Sequence, residues 1–207
     1  MKILAISDSH MRHRDLELPL TDVIIHAGDV SSTGAIAEIL DFLDWFSALP
    51  HPYKIFIAGN HDFAFERNND ELRALVPANV IYLENCGVDI EGIYIWGSPV
   101  QPTFYNWAFN VDRGADIKKY WDLIPSHTQI LITHGPPMEI LDRTVRYKNV
   151  GCEELKIAVE RIKPNYHIFG HIHEAYGNWN NGFTEFINAS VLNEKYIYTN
   201  DPIVFEI

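Results

Sequence analysis

Residues 2–10 read KILAISDSH, a short apolar run that ends in two potential metal ligands, Asp8 and His10. The run is too short for a helix and is rich in aliphatic residues, which favours a buried strand over residues 2–7. Similar runs predict strands at residues 23–27, 53–58, 130–133 and 166–169. Each of them ends in or next to Asp, Asn or His, so the chain repeats one arrangement, a core strand followed by a polar loop.

Between the second and third of these runs, an apolar stripe predicts a helix over residues 34–49. Its members are spaced as on one face of a helix: Ile36, Ile39, Leu40, Leu43 and Phe46. Pro50 and Pro52 prevent the helix from continuing. Weaker helical patterns occur at residues 70–75, 114–123 and 153–162.

The remaining segments predict more strands than one simple sheet can hold. They lie at residues 80–82, 88–90, 93–97, 182–188 and 202–206. We therefore predict an α/β fold with two packed mixed β-sheets flanked by helices. A chain of 207 residues with 47% hydrophobic content can bury one substantial core, so a single domain over residues 1–207 is expected.

Composition narrows the class of protein. The longest apolar stretches are strand-length and the first one soon meets Asp8, so we expect no signal peptide, no membrane span and a cytoplasmic location. Cys86 and Cys152 lie in no clustered metal spacing and are expected to be small buried hydrophobes. A formal charge of −12 disfavours general nucleic-acid binding, which needs clustered Lys and Arg.

The polar residues at the strand ends form a candidate set of metal ligands. Because the carboxyl ends of neighbouring parallel strands meet at one edge of a sheet, we expect these side chains to converge. There are seven of them: Asp8, His10, Asp29, Asn60, His134, His171 and His173. Seven donors suffice for two ions only if one carboxylate bridges them, and Asp29 is the natural bridge.

The donor types narrow the choice of metal. Carboxylate, amide oxygen and imidazole together suit Mn²⁺, Fe or Zn²⁺ better than Ca²⁺, and the absence of Cys ligands argues against a structural zinc site. The donor types alone do not choose among these three metals, and manganese is the one we expect. Glycines 28, 59, 135 and 170 would allow the sharp turns that aim these side chains at one place.

Five motifs in this order resemble those of the calcineurin-like metallophosphoesterases: SDSH (7–10), GD (28–29), GNHD (59–62), THG (133–135) and GHIH (170–173). Residues 97–110 and 133–137 are similar, more narrowly, to the small metallophosphoesterase-domain-containing proteins of brain, adult and fetal tissue and their bacterial relatives. The resemblance implies a calcineurin-like sandwich fold.

The resemblance also implies roles for individual residues. One metal would be bound by Asp8, His10, Asp29 and His173, and the other by Asp29, Asn60, His134 and His171. His61 would be the catalytic histidine, stabilising the transition state or protonating the leaving oxygen; the alternative is that it only buttresses Asn60. Asp62 is expected to support the ligands from behind, and His26 to be a structural histidine of the core.

A preference for phosphodiesters over phosphomonoesters is predicted because no arginine follows Asp29. Asp29 is followed by VSSTG (30–34), with no arginine to hold the terminal dianion of a phosphomonoester. The candidate substrate contacts are Tyr105, Asn106 and Arg146. Trp107 and Phe109 are expected to pack on the sheet. Arg12, Arg14 and Arg143 also follow ligand segments and are expected to be solvated surface charges.

The function predicted is therefore hydrolysis of a small-molecule phosphodiester by a hydroxide that bridges two metal ions, with 2′,3′- and 3′,5′-cyclic nucleotides among the candidate substrates. A phosphomonoesterase or a small nuclease using the same site is the nearest alternative. A non-catalytic protein-binding scaffold is the alternative from a different class. No membrane partner is expected, and the sequence leaves the oligomeric state open.

Overall fold

The computed structural model describes residues 1–207, apart from the side chain of Asn69. The strands are β1 (Lys2–Ile6), β2 (Val23–Ala27), β3 (Tyr53–Ile57), β4 (Ile81–Tyr82), β5 (Cys86–Ile90), β6 (Ile93–Ser98), β7 (Gln101–Pro102), β8 (Asn110–Val111), β9 (Ile130–Thr133), β10 (Tyr166–Phe169), β11 (Gly177–Asn180), β12 (Glu185–Asn188) and β13 (Ile203–Glu206). The α-helices are α1 (Ile36–Ala48), α2 (Phe63–Arg67), α3 (Asn69–Leu75), α4 (Ala115–Trp121) and α5 (Glu153–Ile162).

Two large mixed sheets form the framework. The first has the order β13-β1-β2-β3-β4, in which only β13 runs antiparallel to its neighbour. The second has the order β11-β12-β10-β9-β6-β5, with parallel strands at its centre and an antiparallel strand at each edge. The short strands β7 and β8 pair separately.

The two sheets pack face to face through the side chains that alternate along their central strands. Ile3 and Ile25 from the first sheet meet Ile95, Ile132 and Ile168 from the second in one fully buried cluster. The central strands β1, β2, β3, β9 and β10 are buried on both faces along most of their length, as expected for parallel strands with helices outside. The predicted architecture of two mixed sheets flanked by helices is confirmed.

Helices cover both outer faces of this sandwich. On the first sheet, Phe42 and Phe46 of α1 pack against Phe56 of β3. On the second, Trp121 of α4 and Leu155 of α5 join the buried cluster over Leu131, Phe169 and Phe186, which completes a four-layer arrangement. Among the described residues, no helix is both long enough and apolar enough to cross a membrane.

Helix α1 shows a difference from its predicted apolar stripe. Ile36 and Leu40 are 44% and 42% exposed, whereas Phe42, which the stripe omitted, is fully buried. Phe42 replaces them because its ring packs against Phe46 and His26, which turns the buried face of the helix towards it. The prediction was therefore wrong for Ile36 and Leu40 and right for the other members of the stripe.

The ends of the second sheet also differ from prediction. Residues 182–184 precede β12 as a turn instead of extending it, because Oδ1 of Asn181 accepts hydrogen bonds from the backbone N–H groups of Phe183 and Thr184. That turn joins β12 to β11, a polar strand the pattern did not predict. The helical region predicted at residues 70–75 is longer and divided, forming α2 and α3.

The fold brings the predicted ligands together at one edge of the sandwich. Strands β1, β2 and β3 run parallel in the first sheet, so Asp8, Asp29 and Asn60 follow adjacent carboxyl ends. In the second sheet, β9 and β10 also run parallel and adjacent, so His134 and His171 follow neighbouring carboxyl ends. Just beyond β1, Ser7 forms a parallel bridge to Ser190, which ties the end of this strand to the segment after β12.

Candidate metal centre

The loops that carry the ligands have strained backbones. Four predicted ligands lie in the left-handed region although none is glycine, with φ of 54° at Asp8, 40° at His10, 56° at Asp29 and 68° at His171. Non-glycine residues rarely adopt this conformation, and it persists only where the surrounding structure holds it in place. Here the backbone N–H groups of Asp8 and His10 donate to the carbonyls of Gly28 and Asp29, which fixes the first two loops against each other.

Close approach explains why glycine occupies two of the turns. A Cβ atom at Gly59 would overlap Oδ1 and the backbone nitrogen of Asp29, and a Cβ atom at Gly170 would overlap the Asp8 carboxylate. The chain can pass directly behind both carboxylates only because these residues have no side chain. Gly135, in contrast, has open space, where the nearest atom to an added Cβ would be 4.0 Å away, so its predicted role in the turn is not required sterically.

Asp29 lies at the middle of the ligand cluster. Its Oδ2 atom is 3.6 Å from Nε2 of His10 and 3.4 Å from Nε2 of His134. These two histidines come from different sheets, so the carboxylate faces ligands on both sides. Its burial is nearly complete, with 2% of the residue exposed.

The other predicted ligands flank Asp29 on either side. On one side, Oδ1 of Asp8 lies 3.4 Å from Nε2 of His173. On the other, Oδ1 of Asn60 lies 2.8 Å from Nε2 of His134. The structure thus brings together all seven predicted ligands.

Donor atoms within this cluster fall into three overlapping groups, each spanning at most 4.8 Å. They are Asp8, His10 and His173; His10, Asp29 and His61; and Asp29, His134 and His171. The first and third have no residue in common and sit on opposite sides of the middle group. Two metal-sized positions joined through Asp29 are compatible with this grouping.

Hydrogen bonds outside the cluster orient three of the histidines. Nδ1 of His10, His134 and His173 lies 3.1, 3.0 and 2.9 Å from the backbone carbonyls of Ser31, Ala27 and Asn193, respectively. Because a carbonyl only accepts, each Nδ1 carries a proton, and Nε2 is the ring nitrogen that faces the cluster and can bind a metal once it is deprotonated. Nε2 of His10 is buried with no hydrogen-bond partner among the described residues, so this nitrogen is available to bind a cation.

The charges of the cluster favour cation binding. Burial would raise the pKa of Asp29, but the neighbouring charge of His134 outweighs it and holds the pKa well below its usual range. Burial would also lower the pKa of His134, yet Asp29 raises it to about 9. His173 behaves in the same way, since Asp8 overcomes burial and raises its pKa to about 9. A divalent ion would displace these protons, so metal binding should release them.

Polar groups behind the carboxylates hold them in place. Ser190 Oγ donates a 2.8 Å hydrogen bond to Asp8. Asp62 is fully buried and accepts hydrogen bonds from the backbone N–H groups of Val30, Ser31 and Gly59. It therefore braces the loop after Asp29 instead of facing the cluster. His26 contacts Ser9 Oγ at 2.9 Å within the core, in keeping with the structural role predicted for it.

His61 lies at the open side of the cluster. Its backbone N–H donates to Oδ1 of Asp29, and its Nδ1 atom is 2.7 Å from the carbonyl of Ser32. That contact puts the proton on Nδ1 and leaves Nε2 free. The His61 ring packs edge-on against the ring of His10, with centroids 4.6 Å apart. It also packs at a tilt against the ring of Trp107, with centroids 4.2 Å apart. Its position between the ligands and solvent suits contact with a substrate oxygen.

The predicted substrate contacts lie further out. Tyr105 is 78% exposed. Asn106, the next residue in the sequence, is also exposed, and so is Arg146 on a separate loop. None of the three lines the cavity of about 310 Å³ that adjoins His171, whereas Phe104 does. Their roles in substrate binding remain predictions. Phe109 is buried, as expected, while Trp107 packs on His61 and so adjoins the site.

Tyr196 is a neighbour of the cluster that the sequence did not indicate. Its ring lies 4.9 Å from that of His10 and 5.4 Å from that of His173. It stands in a turn held by Asn193, whose Oδ1 accepts from the N–H groups of Lys195 and Ile197. No ligand motif and no periodic pattern marks this turn in the sequence. Asn193, a residue type common in turns, is the one feature that indicates it.

A cluster of Asp, Asn and His at the strand ends of two packed mixed sheets defines the chain as a metal-dependent phosphoesterase. The chain belongs to the calcineurin-like phosphoesterase family, whose model matches residues 1–175. The family uses divalent metals, in agreement with the donor set.

The alignments with two related proteins cover the whole chain. It is 39% identical to the human metallophosphoesterase domain-containing protein 1, in an alignment covering 100% of this chain and 71% of that protein. It is 37% identical to a UPF0046 protein of Caenorhabditis elegans, covering 100% of this chain and 75% of the relative. A phosphopantetheinyl hydrolase from Mycobacterium tuberculosis shares the fold, with a TM-score of 0.66 at 16% identity over 94% of this chain and 90% of its own.

Proposed function

We propose that this protein is a phosphodiesterase with two metal ions that share Asp29. The observation that carries the proposal is the position of Asp29, whose Oδ2 atom lies within 3.6 Å of histidines from both sides of the cluster. One ion would be held by Asp8, His10, Asp29 and His173, and the other by Asp29, Asn60, His134 and His171. Manganese is the expected metal, with iron or zinc as alternatives.

When bound, two such ions supply charge neutralisation for the phosphoryl group and lower the pKa of water. A side chain of the protein would assist departure of the leaving group. Hydrogen bonds to Asp29 and the Ser32 carbonyl hold His61, and its Nε2 atom would contact the leaving oxygen of the substrate. Because Nδ1 already carries a proton, Nε2 would take up a second one, and the imidazolium would give that proton to the departing alkoxide, a contribution of typically ~10²–10⁴ in rate.

The surroundings of the arginines favour a diester over a monoester. Arg12 pairs with Asp15, Arg14 with Asp41 and Asp44, and the Arg143 guanidinium lies over the Tyr147 ring. These three side chains are engaged with other residues, so none of them is placed to clamp a monoester dianion bidentately. A diester carries a single negative charge and depends less on that clamp.

The test is a substrate panel with metal reconstitution. Purified protein, stripped of metal and supplied with Mn²⁺, is assayed on bis(p-nitrophenyl) phosphate and on p-nitrophenyl phosphate, and then on 2′,3′- and 3′,5′-cyclic nucleotides. We expect higher kcat/KM for the diester and loss of turnover in the Asp29→Asn variant. Faster hydrolysis of the monoester would replace the proposal with a phosphomonoesterase, and turnover of oligonucleotides above the other substrates would indicate a nuclease.

A further inference from the structure

The Tyr196 ring packs on two candidate ligands that share one donor group. Its centroid lies 4.9 Å from that of His10 and 5.4 Å from that of His173, and both contacts are near edge-to-face, with interplanar angles of 72° and 68°. The two imidazole centroids are themselves 5.3 Å apart, so the three rings form one aromatic cluster. Because His10 and His173 belong with Asp8 to a single donor group, this cluster adjoins one of the two proposed metal positions.

Hydrogen bonds of Asn193 fix the turn that carries the Tyr196 ring. The Oδ1 atom of Asn193 accepts from the backbone N–H groups of Lys195 and Ile197. Its carbonyl oxygen accepts from the backbone N–H of Tyr196 at 2.9 Å and lies 2.9 Å from Nδ1 of His173. One carbonyl oxygen therefore holds both the backbone of Tyr196 and an imidazole on which its ring packs.

A second attachment joins the same turn to the loop that carries His10. Nη1 of Arg12 donates to the carbonyl of Tyr196 at 3.3 Å, and Arg12 follows His10 by two residues. Tyr196 has a φ of 58°, in the left-handed region that a bulky residue rarely adopts. Such a conformation persists only where the surrounding structure holds it in place. The fold thus places this ring through contacts with both ligand-bearing loops.

The ring supplies an orientation that the hydrogen bonds of the two imidazoles do not. Each imidazole is held at Nδ1 by one backbone carbonyl, that of Ser31 for His10 and that of Asn193 for His173. A single bond of this kind fixes one ring atom and leaves the imidazole able to tilt about it. The Tyr196 ring blocks that tilt for both residues, so it keeps their Nε2 atoms directed at the same point.

The effect of Tyr196 should be confined to one side of the cluster. Among the described residues, its ring contacts no other candidate ligand, and His134 and His171 pack on each other instead. Tyr196 is 47% exposed, so it also stands between solvent and the two imidazoles. Excluding water there strengthens the attraction between a cation and the Asp8 carboxylate.

We propose that Tyr196 is a positioning residue for one of the two metal positions. Its ring orients His10 and His173 and thereby raises the affinity of the position that they form with Asp8. The hydroxyl has no part in this effect, and the position on the other side of Asp29 is unaffected. This inference rests on the two-metal site of the proposed function.

The experiment measures Mn²⁺ binding by calorimetric titration of chelator-treated protein in variants that retain one position each. His134→Ala removes a ligand of the far position, and in that background Tyr196→Ala should weaken binding of the remaining ion by about tenfold. His173→Ala removes a ligand of the position beside Tyr196. In this second background, Tyr196→Ala should change binding by less than about twofold, because the two sites do not share the contact.

Further substitutions separate the ring from the hydroxyl and from the turn. Tyr196→Phe keeps the ring contacts and should bind Mn²⁺ as the wild-type residue does. Ile197→Ala is the matched control, because Ile197 lies in the same turn with a similar exposure of 49%, and it should also leave the affinity unchanged. Melting temperatures of the metal-free proteins verify folding. Tyr196→Leu, an apolar side chain without the ring, takes the place of Tyr196→Ala if that variant does not fold.

The possible failures are distinguishable. Unchanged affinity in the His134→Ala background would overturn the inference, and so would an equal loss in both backgrounds, which would show general loosening of the site. A loss in Tyr196→Phe as large as that in Tyr196→Ala would assign the effect to the hydroxyl and overturn the role of the ring. A protein that binds Mn²⁺ but hydrolyses no diester would contradict only the proposed function, because the titration needs no turnover. A wild-type protein that binds neither Mn²⁺ nor Zn²⁺ would overturn both.

Discussion

The backbone N–H of His61 donates a 2.7 Å hydrogen bond to Oδ1 of Asp29, while Oδ2 of the same carboxylate faces His10 and His134. One residue thus connects the loops after β2 and β3 with ligands from both sheets. The hydrogen bond also restricts rotation of the carboxylate, so Oδ2 stays directed at the cluster. Mutation can test the two roles proposed for these residues separately, metal binding by Asp29 and substrate contact by His61.

Asp29→Asn should deplete both metals, because the bridging oxygen loses its charge where the two donor groups meet. His134→Ala should deplete mainly one metal, since His134 belongs only to the group with Asp29 and His171. Elemental analysis after reconstitution with Mn²⁺ measures both outcomes. Equal depletion by the two substitutions would contradict the bridging role of Asp29.

His61→Ala should lower kcat by ~10²–10⁴ while metal content stays near the wild-type value. The reason is that Nε2 of His61 faces the open side of the cluster, while the seven other donors remain in place. Diester hydrolysis and elemental analysis are measured on the same preparation. Loss of metal together with activity would identify His61 as a ligand or as a support for Asn60.

Much of this site could be predicted because each group of candidate ligands comes shortly after a short, mainly apolar strand. Such strands are buried on both faces, so their ends are marked in the sequence by the first polar residues, as at Asp8 and His134. The overall architecture was predictable for the same reason. Strands such as β7 and β11 were not, because they are short or polar and depend on tertiary pairing with neighbours.

Tyr196 and the cavity beside His171 could not be predicted by this reasoning. Tyr196 reaches His10 from a turn far along the chain, and its position depends on the hydrogen bonds of Asn193. Loop contacts of this kind carry no periodic signal.

Gly170→Ala should destabilise the protein by about 1–3 kcal/mol and reduce metal content, because its Cβ would overlap the Asp8 carboxylate and Ser7 Oγ. Gly135→Ala is the matched control from the same set of predicted turn glycines. Its Cβ would meet no atom closer than 4.0 Å, so stability and metal content should stay close to wild type. Urea unfolding and elemental analysis provide the measurements. Equal losses in both variants would show that close packing behind Asp8 is not the cause.

His167 should make the protein less stable in mild acid. Its ring is fully buried, and Nε2 lies 2.8 Å from Thr133 Oγ1, which already donates to the carbonyl of Gly135. Nε2 therefore carries the proton, and Nδ1 has no partner among the described residues. Burial lowers the pKa of His167 to about 3, so protonation of the folded state is unfavourable throughout mild acid.

Because the folded-state pKa lies below the unfolded value of about 6.5, the unfolded chain binds the extra proton first. The stability due to neutral His167 is complete above that pH and is lost as the pH falls towards 3, by roughly 2 kcal/mol between pH 7 and about pH 5. His167→Phe should reduce the pH dependence of unfolding by that amount, as measured by urea titration at both pH values with chelator present. His127→Phe, at an exposed histidine, should keep the wild-type dependence. An unchanged pH dependence in His167→Phe would show that His167 takes up its proton without unfolding.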